Sequence, residues 1–236
     1  MKYSAVVILL CSILLLLFGC TSTNEGPLYS EQEIADGIQG SYELISLSFK
    51  AAIENTSDSI LPLPTTELFT EQQYAIILKN IDKPGVQKRL DQFTRSLKED
   101  LTAIVKGSVE VQNSWVQSIT IEDPYQYILG AKNSLTTLFT PTGKRYLSTY
   151  ISSKLPEYTN VLTDYQKFLT IINTYIRTYN ENNPSDKQEV LTAWDSTHVI
   201  EVISSLVFEK MERQEAIIRS LAPSYDSPYI QLYKVQ

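Results

Sequence analysis

"SEQEIADGIQGSYELISLSFKAAI", residues 30–53, decides the fold class. Within it Ile34, Ile38, Tyr42, Ile45, Phe49 and Ile53 recur at steps of three or four. That spacing puts all six on one face of an α-helix and does not fit the two-residue alternation of a half-buried strand. Ser30 and Glu33 have capping-box spacing, where each side chain can satisfy a free amide at the helix start. A helix with one apolar face has to bury it against other elements, so the rest of the chain must supply them.

The following residues do so with the same period. "NTSDSILPLPTTE", residues 55–67, breaks the first helix, and Pro62 and Pro64 favour an extended connector. A second helix is expected over Leu68 to Ile81, ended by Asp82-Lys83-Pro84-Gly85. A third starts near Val86, with Leu90, Phe93, Leu97, Leu101 and Ile104 on one stripe. Gly107 predicts a break, after which Val111, Trp115 and Ile119 form a fourth. Thr120 is placed to cap a short helix with Glu122 and Asp123 in its first turn, and Gly130 ends it. Pro124 is tolerated there because first-turn amides have no helical partner.

One or two helices are expected over 134–155, around Pro141 and Gly143. A long helix follows Pro156, with Leu162, Tyr165, Phe168, Leu169, Ile172 and Ile176 at helical spacing. "NENNPSD", residues 180–186, reads as a linker before a C-terminal helical hairpin, 187–236. Its last helix runs from near Ser196 to Leu221, with Val202, Leu206, Met211 and Ile218 facing inward. No useful alternating pattern and no repeat occurs. The expectation is all-α: a single multi-helix, bundle-like domain over 30–236.

The start of the chain is different. Met1-Lys2-Tyr3 precedes an apolar run from Ala5 through Phe18, interrupted by Ser12. The run is shorter than the roughly 20 residues a membrane-spanning helix needs, so it reads as a secretory signal peptide. Leu17-Phe18-Gly19-Cys20 resembles a bacterial lipobox. The resemblance implies cleavage before Cys20 and lipidation of Cys20, with several acyl chains anchoring the protein stably. Residues 1–19 are then the signal peptide, and 20–29 the lipidated cysteine with a small, polar tether. Thr21 stands where aspartate is the usual inner-membrane retention signal, so the expected address is the outer membrane, facing the periplasm.

Composition removes several function classes. Residues 1–19 carry one Lys and no acid, so the remaining 217 residues hold 19 basic and 27 acidic side chains, a net of −8. That balance argues against nucleic acid and against a basic face for anionic lipid. The two cysteines are Cys11, inside the apolar run, and Cys20. Thiol catalysis, disulfides and thiolate metal sites are therefore excluded after processing.

Several phrases together resemble the bacterial family called domain of unknown function 4197. They are "LYSEQEIADGIQGSYEL", "ILPLPTTEL", "SITIEDPYQYILG", "LTTLF", "YLSTYI" and "HVIEVISSLVFEKMERQEAIIR", which occur in the family's order and span nearly all of the chain after the tether. The last carries the Glu and the Ile-Arg ending of the family's closing helix. The resemblance implies an all-helical, exported or lipid-anchored bacterial protein and no particular activity. Two departures stand out: Pro124 replaces the usual Ala, and Gly130-Ala131-Lys132-Asn133-Ser134 lacks the paired acids of the family's Gly-Gly-Asp-Asp run.

Motifs for chemistry are sparse. His198 is the single histidine. It sits beside Ser196 and Thr197 in what reads as a helix-capping region, without the orienting partner and nucleophile a general base requires. Histidine-based zinc sites need more such ligands. "TPTGKRY", residues 140–146, has a Gly-Lys pair but lacks the upstream Gly and the following Ser/Thr of a phosphate loop, and reads as a turn entering a helix.

The best cluster is Thr120, Glu122 and Asp123 with Tyr125, two carboxylates beside an aromatic ring. It reads either as helix capping or as a site for a cation, a sugar or a peptide. Among 15 tyrosines, Tyr225, Tyr229 and Tyr233 follow prolines in an extended tail that either packs across the bundle, the reading preferred, or is exposed to a partner.

Three functions follow as expectations. The foremost is a non-enzymatic envelope module for binding or scaffolding, held to the membrane by its lipid and meeting an envelope protein partner, with no cofactor and no metal. The second is an envelope hydrolase or glycan-acting enzyme using Glu122 and Asp123, although adjacent helix positions diverge by about 100°. The third is a periplasmic carrier of an apolar ligand.

Overall fold

The computed structural model describes residues 29–55, 64–224 and 232–235. They form seven α-helices and four short 3₁₀ turns, with no strand among the described residues. The described residues from Glu31 onward belong to one compact unit. Cys20, expected to carry lipid, the expected signal peptide over 1–19 and the Pro62 connector lie outside the described residues, as do Tyr225 and Tyr229.

Helix α1, Glu31–Asn55, buries its whole predicted stripe, from Ile34 at 3% exposure to Ile53 at 2%. Helix α2, Glu71–Asn80, starts later than expected, because Thr70 and Gln73 form a reciprocal capping box. The residues before it, Thr65–Leu68, are a 3₁₀ turn. Gly85 turns the chain into α3, Val86–Val116, with φ of 81°, a conformation only glycine adopts freely.

Helix α3 corrects the expected break at Gly107. It is continuous for 31 residues, about 46 Å at 1.5 Å per residue. Gly107 marks a close approach instead: a Cβ there would lie 2.8 Å from the Tyr150 hydroxyl. The short helix α4, Tyr125–Ile128, precedes α5, Ser134–Lys154. Pro141 does not divide α5, whose buried face runs on through Leu135, Phe139, Gly143, Leu147 and Ile151. Helix α6 is Thr159–Asn182 and α7 is Ser196–Ser220.

Helices α1, α3, α5 and α7 form a closed ring, each packed on the next and α7 on α1. Its centre holds Tyr42, Trp115 and Phe139, with Tyr42 and Phe139 rings 4.6 Å apart in an edge contact. Buried Tyr42 donates to Gln112 at 3.4 Å, and Gln112 donates to Ser108 at 3.1 Å. Burial without a charged partner pushes the Tyr42 hydroxyl strongly up.

The first half of α3 leaves this ring and packs against α6. The two run antiparallel, since Ser96 donates to Asp164 at 2.7 Å and Tyr175 to the Pro84 carbonyl at 3.2 Å. A second aromatic cluster forms there from Phe69, Phe93, Tyr165, Phe168 and Trp194.

Among the described residues of 187–236 no helical hairpin forms. Residues 187–195 are an extended strap, and α7 is a single helix after it. Two asparagines on α6 hold the strap. Asn173 exchanges 2.8 Å bonds with both backbone groups of Leu191. Asn180 does the same with Gln188, at 2.9 and 2.7 Å. Seven residues apart, they share one helix face and imitate a strand partner, which satisfies backbone that a loop would leave to water. The buried face of α7 is the expected one at Met211 and Ile218 but is shifted in the first half of the helix. Ile203 and Val207 are fully buried, whereas Val202 and Leu206 are half-exposed.

Candidate functional site

The acidic segment is exposed. Thr120, Glu122 and Asp123 stand in solvent, Tyr125 is half-buried, and none of the four lines a described pocket. The expected capping geometry is corrected as well. Helix α4 begins at Tyr125, with Pro124 at its N-cap position and no side-chain hydrogen bond there, so Glu122 and Asp123 precede the first turn. The cause is local. Asp123 adopts φ of 46°, a left-handed conformation that interrupts a right-handed helix, and Pro124 brings no amide hydrogen.

A different carboxylate caps a different helix. Glu215, 1% exposed, projects from α7 onto the start of α5. It accepts from the backbone amides of Leu135 at 3.0 Å and Thr136 at 2.7 Å, and from the Thr136 hydroxyl at 2.7 Å. Arg219, one turn on, donates to Glu215 at 2.8 Å. The same guanidinium reaches the carbonyls of Ile128 at 3.2 Å and Tyr127 at 2.8 Å, and the Ser134 hydroxyl at 2.7 Å. One ion pair thus ties α7 to the α4–α5 connection, with the carboxylate on the positive end of a helix and every contact charge-assisted. The arrangement commits both side chains to joining the helices.

A third place is a recess of about 410 Å³ where α5 ends, α6 begins and the strap enters α7. Leu155, Leu162, Tyr165, Leu169, Trp194 and Ile200 supply its apolar walls, and Gln166 and Ser196 are among its polar edges. Leu162 and Leu169 carry the correction to the predicted core. Leu162 is 46% exposed and Leu169 half-buried, so the expected inward stripe on α6 divides between core and pocket. Among the described lining residues Tyr165 is the one that titrates. Its hydroxyl donates to the Thr192 carbonyl at 2.7 Å, and burial raises its pKa well above the ordinary value.

A family model described as "Protein of unknown function (DUF4197)" matches residues 30–231. The chain belongs to that family. No curated protein and no solved structure shows significant similarity to it. Within this DUF4197 domain the Glu and Ile-Arg ending of the closing helix is the Glu215–Arg219 joint. The run Gly130–Ser134 lies where that joint meets α5, and Ser134 donates to the Tyr127 carbonyl at 2.7 Å.

The remaining motifs of the DUF4197 chain are structural or open. Helix α7 is capped by Asp195, which accepts from the Thr197 amide at 2.9 Å, rather than by Ser196 or Thr197. His198 is half-buried in a shallow recess of about 450 Å³ with Glu67, Glu201 and Glu209. Among the described residues no group of three or more His, Cys, Asp or Glu is arranged to hold a metal ion. "TPTGKRY" lies inside α5, not at its entry, where Lys144 donates to Ser205 at 3.3 Å.

Glu215 and Arg219 are the residues that sequence reading missed as a unit. Their signal was an ionisable residue four positions after Met211 and three before Ile218, on the stripe that burial claims, with an arginine one turn further on.

Proposed function

We propose that this DUF4197 protein is a lipid-anchored envelope protein that binds an apolar or aromatic group in the recess beside Trp194, without covalent chemistry. One observation carries the reading. Leu162 and Leu169 extend the apolar face of α6 beyond what the core covers, into a recess whose described lining holds no Asp, Glu, His, Lys or Arg. A pocket of this size and character suits a small ligand or one large side chain of a partner.

The hydrolase reading lacks comparable support, since Glu122 and Asp123 are exposed and line no described pocket. Titration with the apolar dye 8-anilinonaphthalene-1-sulfonate tests the binding reading. The native domain enhances dye fluorescence, and Leu162→Asp removes the enhancement while leaving the helical signal intact. Turnover of any substrate abolished by a single polar substitution defeats the proposal. The address rests on the Cys20 lipobox, the short apolar run and Thr21. Cys20→Ser leaves the precursor uncleaved and unlabelled by palmitate, and normal processing of that variant rules the anchor out.

A further inference from the structure

At the far end of α7 from the Trp194 recess, a four-residue 3₁₀ turn, Leu232–Val235, lies against α1, the end of α7 and the 3₁₀ turn Ala222–Ser224. Two side chains seat it. Leu232, 5% exposed, fills the space over Gly37, where any Cβ would overlap its Cδ1. Tyr233, 7% exposed, lays its ring on the Arg219 guanidinium, 4.4 Å from ring centre to Cζ. Such a contact is strengthened where water is excluded from the guanidinium face.

The bonds that orient Arg219 do not involve the turn, while the Tyr233 hydroxyl also meets the Ser41 side chain on α1. Arg219 is oriented in its plane by Glu215, the Tyr127 and Ile128 carbonyls and Ser134, which leaves a flat cationic face for an aromatic ring. Gly37 is fixed within α1, and Ser41 one turn on donates to its carbonyl at 2.7 Å. Receptor residues lie within the family match, 30–231, whereas Leu232 and Tyr233 lie outside it. A preformed slot met by a single turn has the features of a receptor and its ligand, because little ordering remains to be done on binding.

We propose that the Gly37–Arg219 slot is a peptide-docking site for an aliphatic residue followed by an aromatic one, and that Leu232-Tyr233 is its exchangeable resident. The aliphatic side chain occupies the space a glycine leaves, and the ring caps the guanidinium. A segment on the same chain holds the slot through its high effective concentration, so a free peptide of the same chemistry enters only when the resident is released.

The test uses the full chain and a fluorescein-labelled peptide of residues 226–236, read by polarisation. Leu232→Asp with Tyr233→Asp releases the resident. This variant binds the peptide at least about tenfold more tightly than the native chain, whose slot is filled. Adding Gly37→Ala abolishes the gain, because the methyl group fills the space for Leu232 while favouring the helix. A peptide with both recognition residues changed to alanine fails to bind. Three results overturn the proposal: a released variant that stays helical and does not bind, equal binding with Gly37→Ala, or loss of the helical signal on release. The last would make the turn an integral part of the fold.

Discussion

At residues 120–124 two carboxylates stand in solvent just ahead of α4, whereas Glu215 is buried against the start of α5 from a distant helix. Both places put negative charge near a helix start, yet only one satisfies its amides. Glu122 and Asp123 are next to α4 in sequence, and the left-handed Asp123 with Pro124 turns them away from it. Glu215 is 80 residues from Leu135 and reaches two amides and a hydroxyl across the ring of helices. Proximity along the chain therefore does not suffice to say which acid caps which helix, although Asp195 does cap the adjacent α7. What decides is a second helix that can deliver the carboxylate and an arginine to balance it.

The largest effect should fall on the buried side of this contrast. Glu215→Ala is expected to remove about 3–5 kcal/mol from the unfolding free energy, since it strands Arg219 and two helix-start amides away from water. That is a large part of the roughly 5–15 kcal/mol a domain has. Urea unfolding followed by far-UV circular dichroism measures it. Combining Glu215→Ala with Arg219→Met should lose less than the sum of the single losses, because the second change removes the stranded charge. A loss below about 1 kcal/mol for Glu215→Ala would erase the distinction between the two places.

The same contrast shows what could be read from the sequence. The α1 stripe from Ile34 to Ile53 was fully legible because period 3.6 and burial coincide there. The all-α class was legible, and element type with it except at 187–195, where a strap stands in place of the expected hairpin. Glycine and proline misled where packing overrode local preference: Gly107 lets α3 meet Tyr150, and Pro141 rides within α5. The strap at 187–195 was hidden because its order comes from Asn173 and Asn180, side chains that elsewhere mark loops. The Trp194 recess was hidden for the opposite reason. Leu162 and Leu169 have core spacing, and a period cannot distinguish burial in a core from lining a pocket.

Asp100 tests a case between the two extremes. It is half-buried near α6, and one carboxylate oxygen is buried without a hydrogen-bond partner. Desolvation raises its pKa, opposed by a bond from the Val161 amide, with Glu99 and Asp164 adding like charge. The folded pKa therefore lies above the unfolded one. Protonated Asp100 favours the fold below the unfolded pKa, and that advantage is lost as pH rises through the folded value. Asp100→Asn should stabilise the protein at neutral pH by a few tenths of a kcal/mol, about the scale of a partly exposed site. It should change nothing at a pH where Asp100 is already protonated. Thermal melts at the two pH values measure the difference, and equal shifts at both would assign the effect to something other than charge.

The smallest effect is expected at the exposed pair, where it discriminates most. Glu122→Gln with Asp123→Asn keeps the shape of both side chains and the tolerance of residue 123 for a left-handed backbone, which asparagine shares with aspartate. With no helix amides to satisfy and both groups in solvent, stability should move by less than about 0.5 kcal/mol. A larger loss would mean that the acids hold the turn after all, through contacts of their charge rather than as caps. A negligible loss accompanied by weaker binding of any envelope ligand would do the reverse. It would free Glu122 and Asp123 from any structural task and return them to the position of a site.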